Sequence, residues 1–172
     1  MAIIDFTNFE RQGNIEDDLR LQSADEITQA VLQQTANSLQ SVKIFSHDLE
    51  KDIYNNDAFR AALLKFSQGN RHARIQLLVN DLSTALHEGH KLIGLAQQIS
   101  SVLTIKDTPV DYQGLNVSFI LFDKDRFIFK PDKSINLAIQ SNCKSRANRL
   151  TEFFNSAWEY AEQNPHSKRL SI

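Results

Sequence analysis

The chain has 172 residues, 41% hydrophobic and 23% charged, which is one domain's length at globular composition and excludes wholesale disorder. Nineteen Lys and Arg against twenty-one Asp and Glu leave a net charge of −2, without the basic excess that sequence-independent nucleic-acid binding demands. A lone cysteine, Cys143, excludes an internal disulfide framework and a cysteine-based zinc ribbon, and fits a reducing cytosol. No apolar run approaches the ~18 residues of a membrane span, and Met1 to Asp5 lacks the basic start of a signal peptide. The expectation is a soluble cytoplasmic protein with one domain over residues 23–165, an N-terminal arm over 1–22 and a polar tail over 166–172.

Residues 5–20 carry Asp5, Glu10, Glu16, Asp17 and Asp18 against Arg11 and Arg20, with no sustained apolar period. Such a stretch reads as a loosely attached arm or a disordered leader. Ile3, Ile4, Phe6 and Phe9 interrupt it and could pack onto something, or across a dimer interface. Ser23-Ala24-Asp25-Glu26 is a capping box that opens a helix over about 24–38. Val42, Ile44 and Phe45 predict a short strand ending at Ser46-His47-Asp48. Asn56 caps a predicted helix over 57–67, where Phe59, Ala62, Leu63 and Phe66 fall at helical spacing.

Ala73 to Val79 reads as a buried strand, and Asn80-Asp81 opens a helical stretch that includes Leu92, Ile93, Leu95, Ala96 and Ile99. Val102, Leu103 and Ile105 form another strand. Val117 to Phe122 and Phe127 to Phe129, flanking Asp123-Lys124-Asp125-Arg126, predict a hairpin, with a further strand over 134–139. Leu150, Phe153, Phe154, Ala157 and Trp158 make the core stripe of a last helix over about 143–162. The fold class is therefore α/β, a mixed sheet sandwiched by helices with a C-terminal hairpin and long helix. The crossover rule places the loops after residues 46 and 79 at one edge of the sheet, where such folds keep their sites.

Chemistry-bearing residues are few. His87 and His90 stand three apart and could share a helical face for a metal, but the zinc-protease spacing is absent and no third ligand is marked. Gly89 between them suggests that a helix starts here, so His90 reads as a cap or packing residue, with contact to a small ligand as the alternative. No Gly-x-Ser-x-Gly elbow and no glycine-rich phosphate loop occurs, and no cofactor is expected. Cys143 sits where a helix dipole could lower a thiol pKa, although a small buried hydrophobe is the plainer reading. Asp48 and Asp81, just past two strand ends, read first as solvated caps, and Arg71-His72-Ala73-Arg74 and Lys168-Arg169 as solvated surface.

Asn116-Val117-Ser118-Phe119-Ile120-Leu121-Phe122-Asp123 resembles a motif of the phospholipase D-like superfamily. There a strand carries histidine, one residue, lysine, four residues and aspartate, and leads into a hairpin. Asn116, Ser118 and Asp123 occupy that frame, and Ser134-Ile135-Asn136 resembles the superfamily's Ser-x-Asn element at an offset three residues too long. Val42 to Leu49, Ala73 to Asp81 and Gly89 to Ala96 are similar to a bacterial family of uncharacterised function regarded as phospholipase D-like, some of whose members accompany acetyltransferase domains. The resemblance spans residues 40–165 and implies one half of a phospholipase D-like domain. In active members the histidine attacks phosphorus, the lysine neutralises phosphoryl oxygens and the aspartate supports the histidine. Asn116 and Ser118 remove the first two roles, which implies a non-catalytic binding or interaction module. Active relatives build one site from two halves, which implies a homodimer or a covering partner domain. The expected ligand surface is Asn116, Ser118 and Asp123, with Ser46, Asp48, Asp81 and His90 from neighbouring loops. The rivals are a hydrolase or phosphodiesterase using His90 or His87 with Asp48 or Asp81, and an accessory protein of an acetyltransferase.

Overall fold

The computed structural model describes residues 5–165. Ile3, Ile4, Lys168, Arg169 and the rest of the 166–172 tail lie outside the described residues. Eight strands form one mixed sheet: β1 (Leu19–Leu21), β2 (Ser41–Ser46), β3 (Arg74–Val79), β4 (Leu103–Asp107), β5 (Ser118–Phe122), β6 (Arg126–Lys130), β7 (Ala138–Ser141) and β8 (Glu162–Gln163). Their spatial order is β1-β7-β6-β5-β2-β3-β4-β8. β2, β3 and β4 run parallel, and β5 turns antiparallel against β2. The helices are α1 (Ala24–Ala36), α2 (Lys51–Tyr54), α3 (Asp57–Gly69), α4 (Ser83–His87), α5 (Lys91–Gln98) and α6 (Lys144–Tyr160).

Alternation along the strands divides the core into two layers. Val42, Ile44, Ile75, Leu77, Ile105 and Ile120 face α1, α3 and α5, whose Ile27, Val31, Leu63 and Leu95 are buried against them. Phe45, Leu78, Phe119, Leu121, Phe127 and Phe129 face α6, which buries Leu150, Phe153, Phe154 and Ala157. Every residue of β2 and β5 is buried, as strands covered on both faces must be. The sandwich expected from the sequence is the observed architecture.

The caps form where the sequence places them. Ser23 Oγ accepts the Glu26 amide at 3.1 Å, while the Glu26 carboxylate reaches one residue past the serine to the Gln22 amide at 2.6 Å. Asn56 Oδ1 accepts the Phe59 amide at 2.8 Å. Two of the boundaries that differ from expectation have a clear local cause. The helical stretch after Asp81 is broken into α4 and α5 at Gly89, whose φ of 64° no helix accepts. The strand expected over 134–139 begins only at Ala138, because Asp132 ties Ser134 into a local turn (2.6 and 2.9 Å).

From Asp5 onward the N-terminal arm is built into the body rather than loosely attached. Phe9 is fully buried, with its ring centroid 4.6 Å from that of Phe129, and Phe6 lies 5.3 Å edge-on to Phe153. Asp18 pairs with the buried Arg146 at 2.8 Å, and β1 joins the sheet beside β7. The sequence concealed this because the anchoring contacts are tertiary and the surrounding window is acidic and aperiodic.

The β5–β6 hairpin turns through Asp123 and Lys124, at φ values of 56° and 71°, which match a type I′ turn. Asp123 accepts the amides of Leu39, Gln40 and Ser41 at 2.7–3.1 Å and pairs with Arg126 at 3.0 Å. It thereby clamps the start of β2 to the hairpin tip. Below the opposite sheet edge His90 caps α5. Its Nδ1 accepts the Leu92 amide at 3.1 Å, so Nε2 carries the hydrogen and donates to Leu49 O at 2.9 Å. Burial lowers the His90 pKa below the usual imidazole value, although the Leu49 bond and Asp48 oppose it.

Asp123→Ala should cost about 2–4 kcal/mol, since three amides and a guanidinium lose one acceptor, as read by denaturant unfolding. A loss within about 0.5 kcal/mol would contradict the clamp. A depressed histidine pKa gives stability that is complete above the unfolded value of about 6.5 and is lost as pH falls toward the folded value. His90→Asn keeps a capping side chain without the titration, so its stability should fall less steeply than the parent's as pH drops below about 6.5. Identical slopes in urea titrations at a series of pH values would contradict this.

Candidate functional site

Parallel β2 and β3 end at one edge of the sheet, and antiparallel β5 begins there, so Ser46, Ser118 and the end of β6 converge. Residues two apart on β5 share a face, which puts Ser118 and Ile120 on the α1–α3 side. Ser118 pairs directly with Lys130 across the hairpin. Both residues are almost wholly buried, at 2% and 4% exposure.

They meet on Glu50. Ser118 Oγ donates to one carboxylate oxygen at 2.9 Å, and Lys130 Nζ donates to the other at 2.5 Å. Lys130 Nζ also lies 3.3 Å from both Lys133 O and Asn136 Oδ1, which accounts for its donor capacity. Asn116 is exposed at the mouth, where its carbonyl accepts the Lys133 amide at 2.7 Å and its side chain bonds Asp132. Hydrogen bonds from Ser134, then from Asn116, hold the Asp132 carboxyl below its ordinary pKa.

The loop that presents Glu50 is strained. Ser46 Oγ accepts the Leu49 amide at 3.1 Å, and Leu49 is held at φ 60° with its side chain fully buried. His90 anchors the same residue from below through Leu49 O. The chain thus accepts an unfavourable backbone to put a carboxylate above Ser118 and Lys130.

Of the expected site residues, Asn116, Ser118 and Ser46 lie at this edge, and His90 supports it from beneath. Asp123 does not belong to it. It follows the end of β5, five positions from Ser118 and about 16 Å away at ~3.3 Å per residue, and serves as the hairpin clamp. Asp48 is exposed, and Asp81 is taken up by the Ser83 amide and hydroxyl at 2.9 and 2.6 Å, which also lower its pKa. His87 is exposed, and both ring nitrogens of His90 are committed. The histidine–carboxylate pair of the rival enzyme is therefore not assembled around His90. Among the described residues no group of three or more His, Cys, Asp or Glu could hold a metal.

Glu50 and Lys130 were not anticipated. Lys130 was within reach, because a hairpin that pairs Phe122 with Arg126 necessarily sets Ser118 against Lys130. Glu50 gave no signal, since its position depends on the Leu49 backbone rather than on any periodicity.

The fold resembles several solved structures at low sequence identity. The phospholipase D family member Nuc from Salmonella typhimurium is 12% identical, with a TM-score of 0.56 over 78% of this chain and 88% of that one. NucT from Helicobacter pylori is 7% identical, with a TM-score of 0.62 over 86% of this chain and 99% of that one. TrmBL2, an archaeal chromatin protein whose structure shows a novel mode of DNA binding, is 13% identical with a TM-score of 0.63. The match covers 90% of this chain and 56% of TrmBL2. No curated protein matches the chain. Among the described residues no helix is long and apolar enough to cross a membrane. The fold is phospholipase D-like. Residues 21–170 match the family described as a domain of unknown function, DUF7931, and the chain belongs to that family.

Proposed function

We propose that this chain is a phospholipase D-like binding module that recognises an anionic group at the Ser118–Lys130 edge without cleaving its ligand. The observation that carries this reading is the convergence of Ser118 Oγ and Lys130 Nζ on the two oxygens of Glu50. A hydroxyl and an ammonium aimed at paired anionic oxygens would bind a phosphate in the same manner. Glu50 therefore stands in for a ligand, and the resting site is filled from within the chain.

Cleavage needs more than this arrangement supplies. Phosphoryl transfer through a covalent intermediate requires a nucleophile in line with phosphorus. The amide of Asn116, in the frame position of the histidine, is not a nucleophile, and His90 spends both nitrogens on Leu49 and Leu92. Ligand entry would move the Glu50 carboxylate aside while Lys130 exchanges one anion for another.

Glu50→Ala should lower the melting temperature, because it strands a buried ammonium, and inorganic phosphate should restore part of the loss by occupying the vacated place. An added stabilisation of about 1 kcal/mol would raise the melting temperature of a chain this size by about 2–4 °C. The parent should respond much less, and Ser118→Ala in the same background should reduce the rescue. Equal responses of parent and variant to phosphate would refute the site.

A further inference from the structure

Cys143 lies at the start of α6, apart from the Glu50 edge, and is 9% exposed. It is the N-cap of the 17-residue α6, so its sulfur stands at the positive end of that helix. Sγ lies 3.3 Å from Ser145 Oγ. One turn into the helix, Arg146 is wholly buried. Its Nη2 donates to Asn14 O and Asp18 Oδ1, both at 2.8 Å, and to Ser141 Oγ at 3.2 Å. Its Nη1 lies 3.5 Å from Glu10 O.

The buried Arg146 Nε–H meets no oxygen or nitrogen acceptor, and the guanidinium's remaining partner is the Cys143 sulfur. A buried charged donor left unpaired is costly, and a neutral thiol is a weak acceptor. The N-terminal arm closes the site from the other side. Gly13 has φ +71°, and a Cβ there would meet Ser145 Oγ at 2.7 Å and Cys143 Sγ at 3.0 Å. Only glycine fits this close approach. The charged group at the sulfur is Arg146 from α6, which is itself paired with Asp18 of the arm. Burial pushes the thiol pKa up, but hydrogen bonds from Ser145, from Arg146 and from the Asn14 backbone outweigh it and bring the value to about 7.

We propose that Cys143 is an oxidation site for hydrogen peroxide, its sulfenate oxygen being received by the buried Nε–H of Arg146. The thiolate sulfur attacks one peroxide oxygen; an S–O bond forms as the O–O bond breaks. Sulfur loses two electrons and the peroxide gains them. The departing hydroxide takes the sulfenic proton and leaves as water. The sulfenate then supplies the oxygen acceptor that the resting Nε–H lacks.

The test treats the full chain with hydrogen peroxide in the presence of dimedone and follows intact mass. A single adduct is expected, absent from Cys143→Ser, since the chain has one cysteine. The pH dependence of iodoacetamide alkylation should have its midpoint near 7 in the folded protein and near ~8.5 in denaturant. Ser145→Ala, a change at an exposed position, should move the folded midpoint upward. No dimedone adduct in excess peroxide, or a folded midpoint equal to the denatured one, would overturn the proposal.

Discussion

An ammonium taken out of water must be paired, and Lys130 ends β6 with its side chain only 5% exposed. The features of the candidate edge follow from that constraint. The hairpin register sets Ser118 beside the charge, and Asn136 and the Lys133 carbonyl complete its donors. The counter-charge arrives from the far side of β2, on a loop that holds Leu49 at a positive φ to reach it. His90, capping α5 and bonded to Leu49 O, fixes that loop to the helical layer. A buried ion pair of this kind adds little to net stability but makes loss of either partner expensive. It specifies geometry, and the geometry here is a hydroxyl and an ammonium converging on the two oxygens of one carboxylate.

Much of the fold was legible because local signals agree with the tertiary solution. Ser23, Asn56 and the Asp123 turn act where their side-chain chemistry predicts, and the buried strands β2, β3 and β5 read as apolar runs. The arm was not legible. Phe6 and Phe9 anchor it through rings on β6 and α6, more than a hundred residues away, and no local period announces such contacts. The late start of β7 was hidden for a different reason. Asp132 and Ser134 prefer a turn that competes with extending the strand.

The site was legible in part. The frame of Asn116 and Ser118 leads to the sheet edge where Ser118, Lys130 and Glu50 meet, because a strand motif fixes position along the chain and face together. The same frame misplaces Asp123 as a ligand contact, since its five-residue offset from Ser118 carries it to the other end of β5. There three backbone amides absorb its charge. His90 reads from its neighbours as a cap or packing residue, and in the fold it caps α5. Glu50 was illegible, for it depends on one left-handed residue in an irregular turn.

The function proposed for this edge is to receive an anionic group without breaking a phosphodiester bond. The most direct measurement incubates the full chain with bis(p-nitrophenyl) phosphate and follows both nitrophenolate release and the intact mass of the protein. Release no faster than in buffer and no phosphoryl adduct on the chain are expected. Turnover that survives repurification, or a covalent phosphoryl intermediate on any residue, would contradict this function.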